Sequence, residues 1–279
     1  PNAGLPRVDQ GVTTYDIDSD TFSDYMKQIA QKGACILGGC CGTTPEHIKK
    51  TIEKTEGIAI DFSWQIRRQP LRVATATKTV VLGEDIRVIG EAINPTANQE
   101  LREDLRHGRT TVLKRLALEQ KRQGADILDV NVGLPEIDEC VMMVKAVSEL
   151  SQIVDLPLQI DSTKPQVIEA VLKHYNGTPI INSVNGEEEV MAKILPLISH
   201  YGACVLGLTM DDAGLPKTME KRVEIAGRII KKAKDYGIKD NRVLMDCLVL
   251  TASAQQAGVM ETLKAVTKIK DQFHVPIVL

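Results

Sequence analysis

From residue 86 onward, short aliphatic and β-branched runs alternate with stretches whose apolar positions recur at helical spacing. The runs cover 86–91, 126–130, 157–161, 179–183, 203–209, 242–246 and 275–279. Their first residues lie 40, 31, 22, 24, 39 and 33 positions apart, which suits repeated strand–helix units. The helices between them carry end signals. Gly124 follows a long helix from about Asn98, Lys164-Pro165 opens the helix after Asp161, and Tyr236-Gly237 closes a helix over 217–236.

The predicted strands are almost uniformly apolar, as in a parallel sheet covered on both faces. Seven such strands allow an eight-stranded barrel missing its last unit or a doubly wound open sheet. No Gly-x-Gly-x-x-Gly loop follows the first strand. Glu91, Asp129, Asp161, Asn182, Thr209 and Asp246 all stand at the C-terminal ends of their strands. A barrel gathers those ends around one mouth, whereas an open sheet spreads them along an edge, about 4.8 Å per strand. The expected fold is therefore a barrel.

Residues 1–57 predict a smaller unit: a polar loop, a helix near 20–32, an apolar strand at 34–37 and a helix from Pro45. So short a stretch buries little core by itself, and its order of elements matches the last strand–helix units of another barrel. Residues 58–85 are expected to be a linker packed across the second barrel, with β-like pieces at 71–74 and 79–82. The chain begins at Pro1 without Met and stops inside an apolar run, so it reads as a piece of a longer polypeptide.

Composition narrows the function. The 279 residues carry 34 Lys+Arg against 37 Asp+Glu, a net charge of −3 that excludes a strongly basic nucleic-acid binder. Nine aromatics are too few for a platform on which single-stranded bases stack. No apolar run approaches the ~18 residues of a membrane span. Six Cys in this length are too sparse for a disulfide scaffold, and a reduced, cytoplasmic protein is the economical reading.

Two groups of residues point to chemistry. The first is Gly38-Gly39-Cys40-Cys41-Gly42-Thr43-Thr44-Pro45. Adjacent Cys residues in a strand face opposite ways, but flanking glycines let the backbone turn both sulfurs toward one ion. Two thiolates suit zinc, which needs further ligands; two idle thiols in a glycine-rich turn are the alternative. His47 fits an ordinary helix N-terminus, and Cys35, Cys140, Cys204 and Cys247 fit a core. The second group is the ring of strand ends: Glu91 with Asn94, Asp129 with Asn131, then Asp161, Asn182 and Asp246. Converging carboxylates and amides suit a flat heterocycle rich in N–H donors and ring-nitrogen acceptors. Any one of them, such as Asp161 before Pro165 or Asn185 before Glu187, could simply cap the next helix. Five together argue for a site. No Lys or His stands at these strand ends, which disfavours Schiff-base and His-based acid–base chemistry.

Residues 86–279 resemble the pterin-binding domain of the cobalamin-dependent methionine synthase family and the related methyltetrahydrofolate:corrinoid methyltransferases. Residues 1–57 resemble the end of that family's homocysteine-binding barrel, with 38–45 as its zinc signature. The resemblance implies an α/β chain: a pterin-binding (β/α)8 TIM barrel, truncated in its last units, preceded by the C-terminal units of a second TIM barrel. It implies that Asp161, Asn182 and Asp246 hold the pterin ring, and that Glu91, Asn94, Asp129 and Asn131 line the same mouth. Cys40 and Cys41 become two of three zinc thiolates, the third lying upstream of Pro1 in the family. The implied activity is methyl transfer from 5-methyltetrahydrofolate to cob(I)alamin and on to zinc-bound homocysteine. The implied partners are folate, homocysteine and a cobalamin-binding domain or corrinoid protein, with a homodimer left open. A folate barrel serving a separate corrinoid protein, or a non-catalytic folate-binding piece, are the alternatives.

Overall fold

The computed structural model describes residues 1–59, 69–96, 98–249 and 256–279. It divides into two compact units, Pro1–Arg68 and Gln69–Leu279. The larger unit is built on a parallel sheet of seven strands that pair in chain order: β5 (Ile89–Ile93), β6 (Ile127–Val130), β7 (Leu158–Asp161), β8 (Ile180–Val184), β9 (Cys204–Leu208), β10 (Val243–Asp246) and β11 (Ile277–Val278). All seven predicted runs become strands, within three residues at each start.

Helices alternate with these strands: α3 (Gln99–Arg106), α4 (Thr111–Arg122), α5 (Glu139–Ile153), α6 (Pro165–Leu172), α7 (Glu188–Tyr201), α8 (Met219–Asp235) and α9 (Gln256–Phe273). One long helix was expected after Asn98, and two form. Gly108 adopts φ +67, ending α3. Asp104, 5% exposed, then accepts from Val112 N and Arg109 Nε, both at 2.8 Å, so its carboxylate caps the start of α4.

The strands explain the apolar pattern. Residues turned outward, such as Leu128, Val130, Ile160, Ile181, Val205 and Met245, join the main core beneath the helices. Residues turned inward at the strand starts, Ile127, Ile180, Cys204, Leu206 and Leu244, form a second core. That core is completed by the antiparallel hairpin of β3 (Leu71–Ala74) and β4 (Thr79–Leu82), which contributes Leu71, Val73, Val80 and Leu82. Ala74 bridges Thr178 just before β8, so the hairpin closes the barrel at its N-terminal end. It belongs to the barrel unit.

The smaller unit holds a hairpin, β1 (Pro6–Asp9) with β2 (Val12–Tyr15), and two helices, α1 (Ser19–Gln31) and α2 (Pro45–Thr55). The expected strand at 34–37 does not form, and the core position expected for Cys35 is lost with it. A strand needs a neighbour for its N–H and C=O groups, and none of the described strands pairs with this stretch; Ile36 is 93% exposed. No helix among the described residues is long and apolar enough to cross a membrane.

Candidate functional site

Period-two alternation carries each inward face from apolar to polar along one strand. Ile127 is followed by Asp129, Ile180 by Asn182 and Leu244 by Asp246, and Gln159 precedes Asp161 on the same face. The apolar layer fills the closed end, and the polar layer lies at the C-terminal mouth.

Four expected residues are joined directly. Asn131 Nδ2 donates to Asp161 Oδ2 at 2.8 Å, while Asn131 Oδ1 accepts from Gly133 N at 2.8 Å. Asn182 Nδ2 donates to Asp129 Oδ1 at 3.2 Å, and Asp161 stands level with Asn182 in the sheet register. Asp246 closes the set two strands along: its backbone carbonyl accepts from Thr209 N, and its Oδ1 accepts from Leu248 N at 2.6 Å. Glu91 stands exposed on β5, and its charge reaches Asp129. Asn94 is half-buried in the turn after β5, where its Oδ1 accepts from Thr96 N at 2.9 Å. Asn185 is a local cap, accepting from Glu187 N.

Burial sets the electrostatics. Asp129 is pushed up to about 7, first by burial and then by the neighbouring charges of Asp161 and Glu91, against the pull of bonds from Gln159 and Asn182. Burial also raises Asp161, opposed by the Asn131 bond, and raises Asp246, opposed by its bond from Leu248 and by Arg222. Asp129, Asp161 and Asp246 therefore hold a proton more readily than a surface acid.

Three supporting residues were not anticipated. Gln159 is buried and donates to Asp129 Oδ1 at 2.6 Å. Glu139, on α5, accepts from Ser162 Oγ at 2.6 Å and pairs with Lys164 at 2.9 Å, bracing the turn after Asp161. Arg222, 2% exposed on α8, donates to the carbonyls of Cys247 and Leu248 beside Asp246. Gln159 was within reach of the sequence, since it shares the face of Asp161 two positions earlier. The other two come from helices remote in sequence and carry no local signal.

In the smaller unit, Cys40 and Cys41 are exposed, with their sulfurs 3.8 Å apart. Two thiolates on one tetrahedral zinc, at about 2.3 Å each, stand roughly 3.8 Å apart, so the pair has the span the ion requires. Gly42 makes the turn at φ +78, and a Cβ there would lie 2.2 Å from Tyr15 Cγ. His47 is no ligand: its Nδ1 accepts from Thr44 N, and its Nε2 faces Ile17 O. Among the described residues, no group of three or more His, Cys, Asp or Glu could hold a metal.

Fold and site together define a barrel enzyme class whose mouth is made of acids and amides. Residues 90–279 match the family model described as pterin binding enzyme, and the chain belongs to that family. Residues 1–55 match the model for homocysteine S-methyltransferase. The methionine synthase of Mycobacterium tuberculosis is 32% identical over 97% of this chain and 24% of its own length. That of Mycobacterium leprae is 30% identical, again over 97% of this chain and 24% of its own. The chain thus spans about a quarter of the length of these curated relatives. A solved dihydropteroate synthase from Xanthomonas albilineans shares the fold, with a TM-score of 0.56 at 20% identity over 75% of this chain and 76% of that one.

Proposed function

We propose that the barrel mouth binds 5-methyltetrahydrofolate by the edge of its pterin ring and presents the N5-methyl group for transfer, as one part of a methionine synthase. The observation that carries this reading is the bonded set of Asp129, Asn131, Asp161 and Asn182 at the C-terminal mouth of a pterin-binding family member. Asp161 has one oxygen committed to Asn131, leaving Oδ1 to accept an N–H of an amino-pyrimidinone edge. Asp246 has Oδ1 committed to Leu248 N and offers Oδ2 in the same way. Asn182 directs its amide carbonyl toward the ring, and Glu91, Asn94 and Asn131 complete the lining. Asp129, expected in that lining, is 1% exposed and stands directly behind Asn182.

The N5 of the substrate is a tertiary amine and leaves only as it gains a proton or a strong hydrogen bond. Asp161, Asn182 and Asp246 hold the ring in place and stabilise that change of charge. Burial pushes Asp129 up to about 7, so this carboxyl, next to the Asn182 amide, carries a proton for part of the time at neutral pH. Cobalamin in its cob(I) form, on another domain or a separate corrinoid protein, would supply the nucleophile that takes the methyl group.

Residues 1–57 form, in this reading, the end of the homocysteine- and zinc-binding barrel, 58–85 the connection and 86–279 the pterin barrel. Cys40 and Cys41 would hold zinc together with a ligand outside the described residues. Zinc bound there would favour the thiolate of homocysteine, a better nucleophile than the thiol at pH 7.

Calorimetry of 5-methyltetrahydrofolate with the wild-type chain and with Asp161→Ala tests the site. A loss of at least about tenfold in affinity is expected, from one charge-assisted hydrogen bond. Equal affinities would remove Asp161 from the site. Single-turnover methyl transfer to added cob(I)alamin then separates a catalytic barrel from one that only binds folate.

A further inference from the structure

Behind the mouth lies a buried row of side chains, Gln159 to Asp129 to Asn182, that ligand contact alone does not explain. Gln159 is 5% exposed and Asp129 is 1% exposed. Gln159 Nε2 donates to Asp129 Oδ1 at 2.6 Å, and Asn182 Nδ2 donates to the same oxygen at 3.2 Å. Two donors on one oxygen require it to remain an acceptor, so any proton that Asp129 takes sits on Oδ2. With its nitrogen turned to Asp129, the Asn182 amide has one orientation left for its carbonyl.

We propose that Gln159 and Asp129 are positioning residues, which lock the Asn182 amide with its nitrogen inward and its carbonyl oxygen toward the ligand. This rests on the pterin reading of the mouth and adds to it the device that sets the polarity of one contact. A free amide could turn over and offer N–H where a ligand also offers N–H; the buried row excludes that state.

The row is also built to feel pH. Asp129 Oδ2 is buried without a hydrogen-bond partner among the described residues, and so is Gln159 Oε1. Glu91 from β5 and Asp161 from β7 add negative charge beside Asp129, whereas Asn182 from β8 and Gln159 bring only dipoles. Gln159 is thus one of two neutral donors that favour the charged form of Asp129 against burial and two acids.

Two variants test the proposal in the whole 279-residue chain. Gln159→Leu removes the donor and keeps most of the volume. Gln159→Glu keeps the shape, and it donates to Asp129 only while the two carboxyls share a proton. The first readout is the Asn182 side-chain NH2 signal in NMR, followed from mildly acid to mildly alkaline pH without ligand. In wild type it is expected to titrate near pH 7 with Asp129; in Gln159→Leu the midpoint moves up. The second readout is affinity for 5-methyltetrahydrofolate. Gln159→Leu is expected to lose roughly three- to tenfold, and Gln159→Glu to recover in acid and weaken as pH rises. An Asn182 titration and a pH profile unchanged in both variants, whatever their thermal stability, would overturn the proposal. A wild-type chain that binds no folate would instead refute the pterin reading, and the ligand-free titration would still decide this one.

Discussion

Ile36 and Ile181 are both isoleucines in short apolar runs that the sequence marks as strands. Ile181 is fully buried in β8, while Ile36 is 93% exposed on a stretch with no regular structure. The difference lies outside the runs. β8 has β7 and β9 on its two sides to take its backbone hydrogen bonds and helices to cover its outer face. The stretch at 34–37 has no pairing strand among the described residues. An apolar run specifies a tendency, and its neighbours decide whether that becomes a strand.

Matched substitutions sharpen this contrast. Ile181→Ala leaves a cavity in a closed core and is expected to cost about 2–5 kcal/mol in urea unfolding. A value near zero would mean the barrel core is not packed as described.

Next in size is the acid end of the same strands. Asp129 binds its proton more tightly folded, at about 7, than unfolded, at 3.8. The folded state therefore carries the extra proton between those values, and Asp129 costs stability progressively as pH rises through them. Asp129→Asn removes that dependence. It is expected to gain on the order of 1–2 kcal/mol at pH 8 relative to wild type, less than the shift alone implies because the new amide nitrogen has no partner. Denaturation at pH 5 and pH 8 checks it: an equal wild-type–variant difference at both would exclude a raised Asp129.

Gly42→Ala probes the smaller unit at the one point where its turn is demanding. The left-handed backbone costs about 1–2 kcal/mol for alanine, and the added methyl meets the Tyr15 ring. Displaced Tyr15 ring signals in NMR are expected, and an unchanged spectrum would contradict the turn. Ile36→Ala should be the mildest, within about 0.5 kcal/mol, as for an exposed side chain. A loss comparable to Ile181→Ala would show that Ile36 is buried after all.

Much of the site was legible because strand periodicity and barrel topology make strong geometric statements together. If seven strands run parallel and curl, residues at their C-terminal ends must meet, and Asp129, Asn131, Asp161 and Asn182 do. The predicted helix after Asn98 failed for a local reason: the Gly108 break gains its stability from Asp104 reaching across to Val112, a contact that helical periodicity cannot express.

By itself, then, the sequence determined the strand–helix alternation, the apolar interior faces and the identity of the acids and amides at the mouth. These follow from the chain's own chemistry, read a few residues at a time. Tertiary structure alone decided that the 71–82 hairpin closes the barrel, that Gln159 and Arg222 stand behind the mouth, and that Asp129 rather than Asp161 or Asp246 is driven to about pH 7. Burial and charge are set by everything that surrounds a group, and the surroundings of Asp129 come from β5, β7 and β8, brought together only by folding.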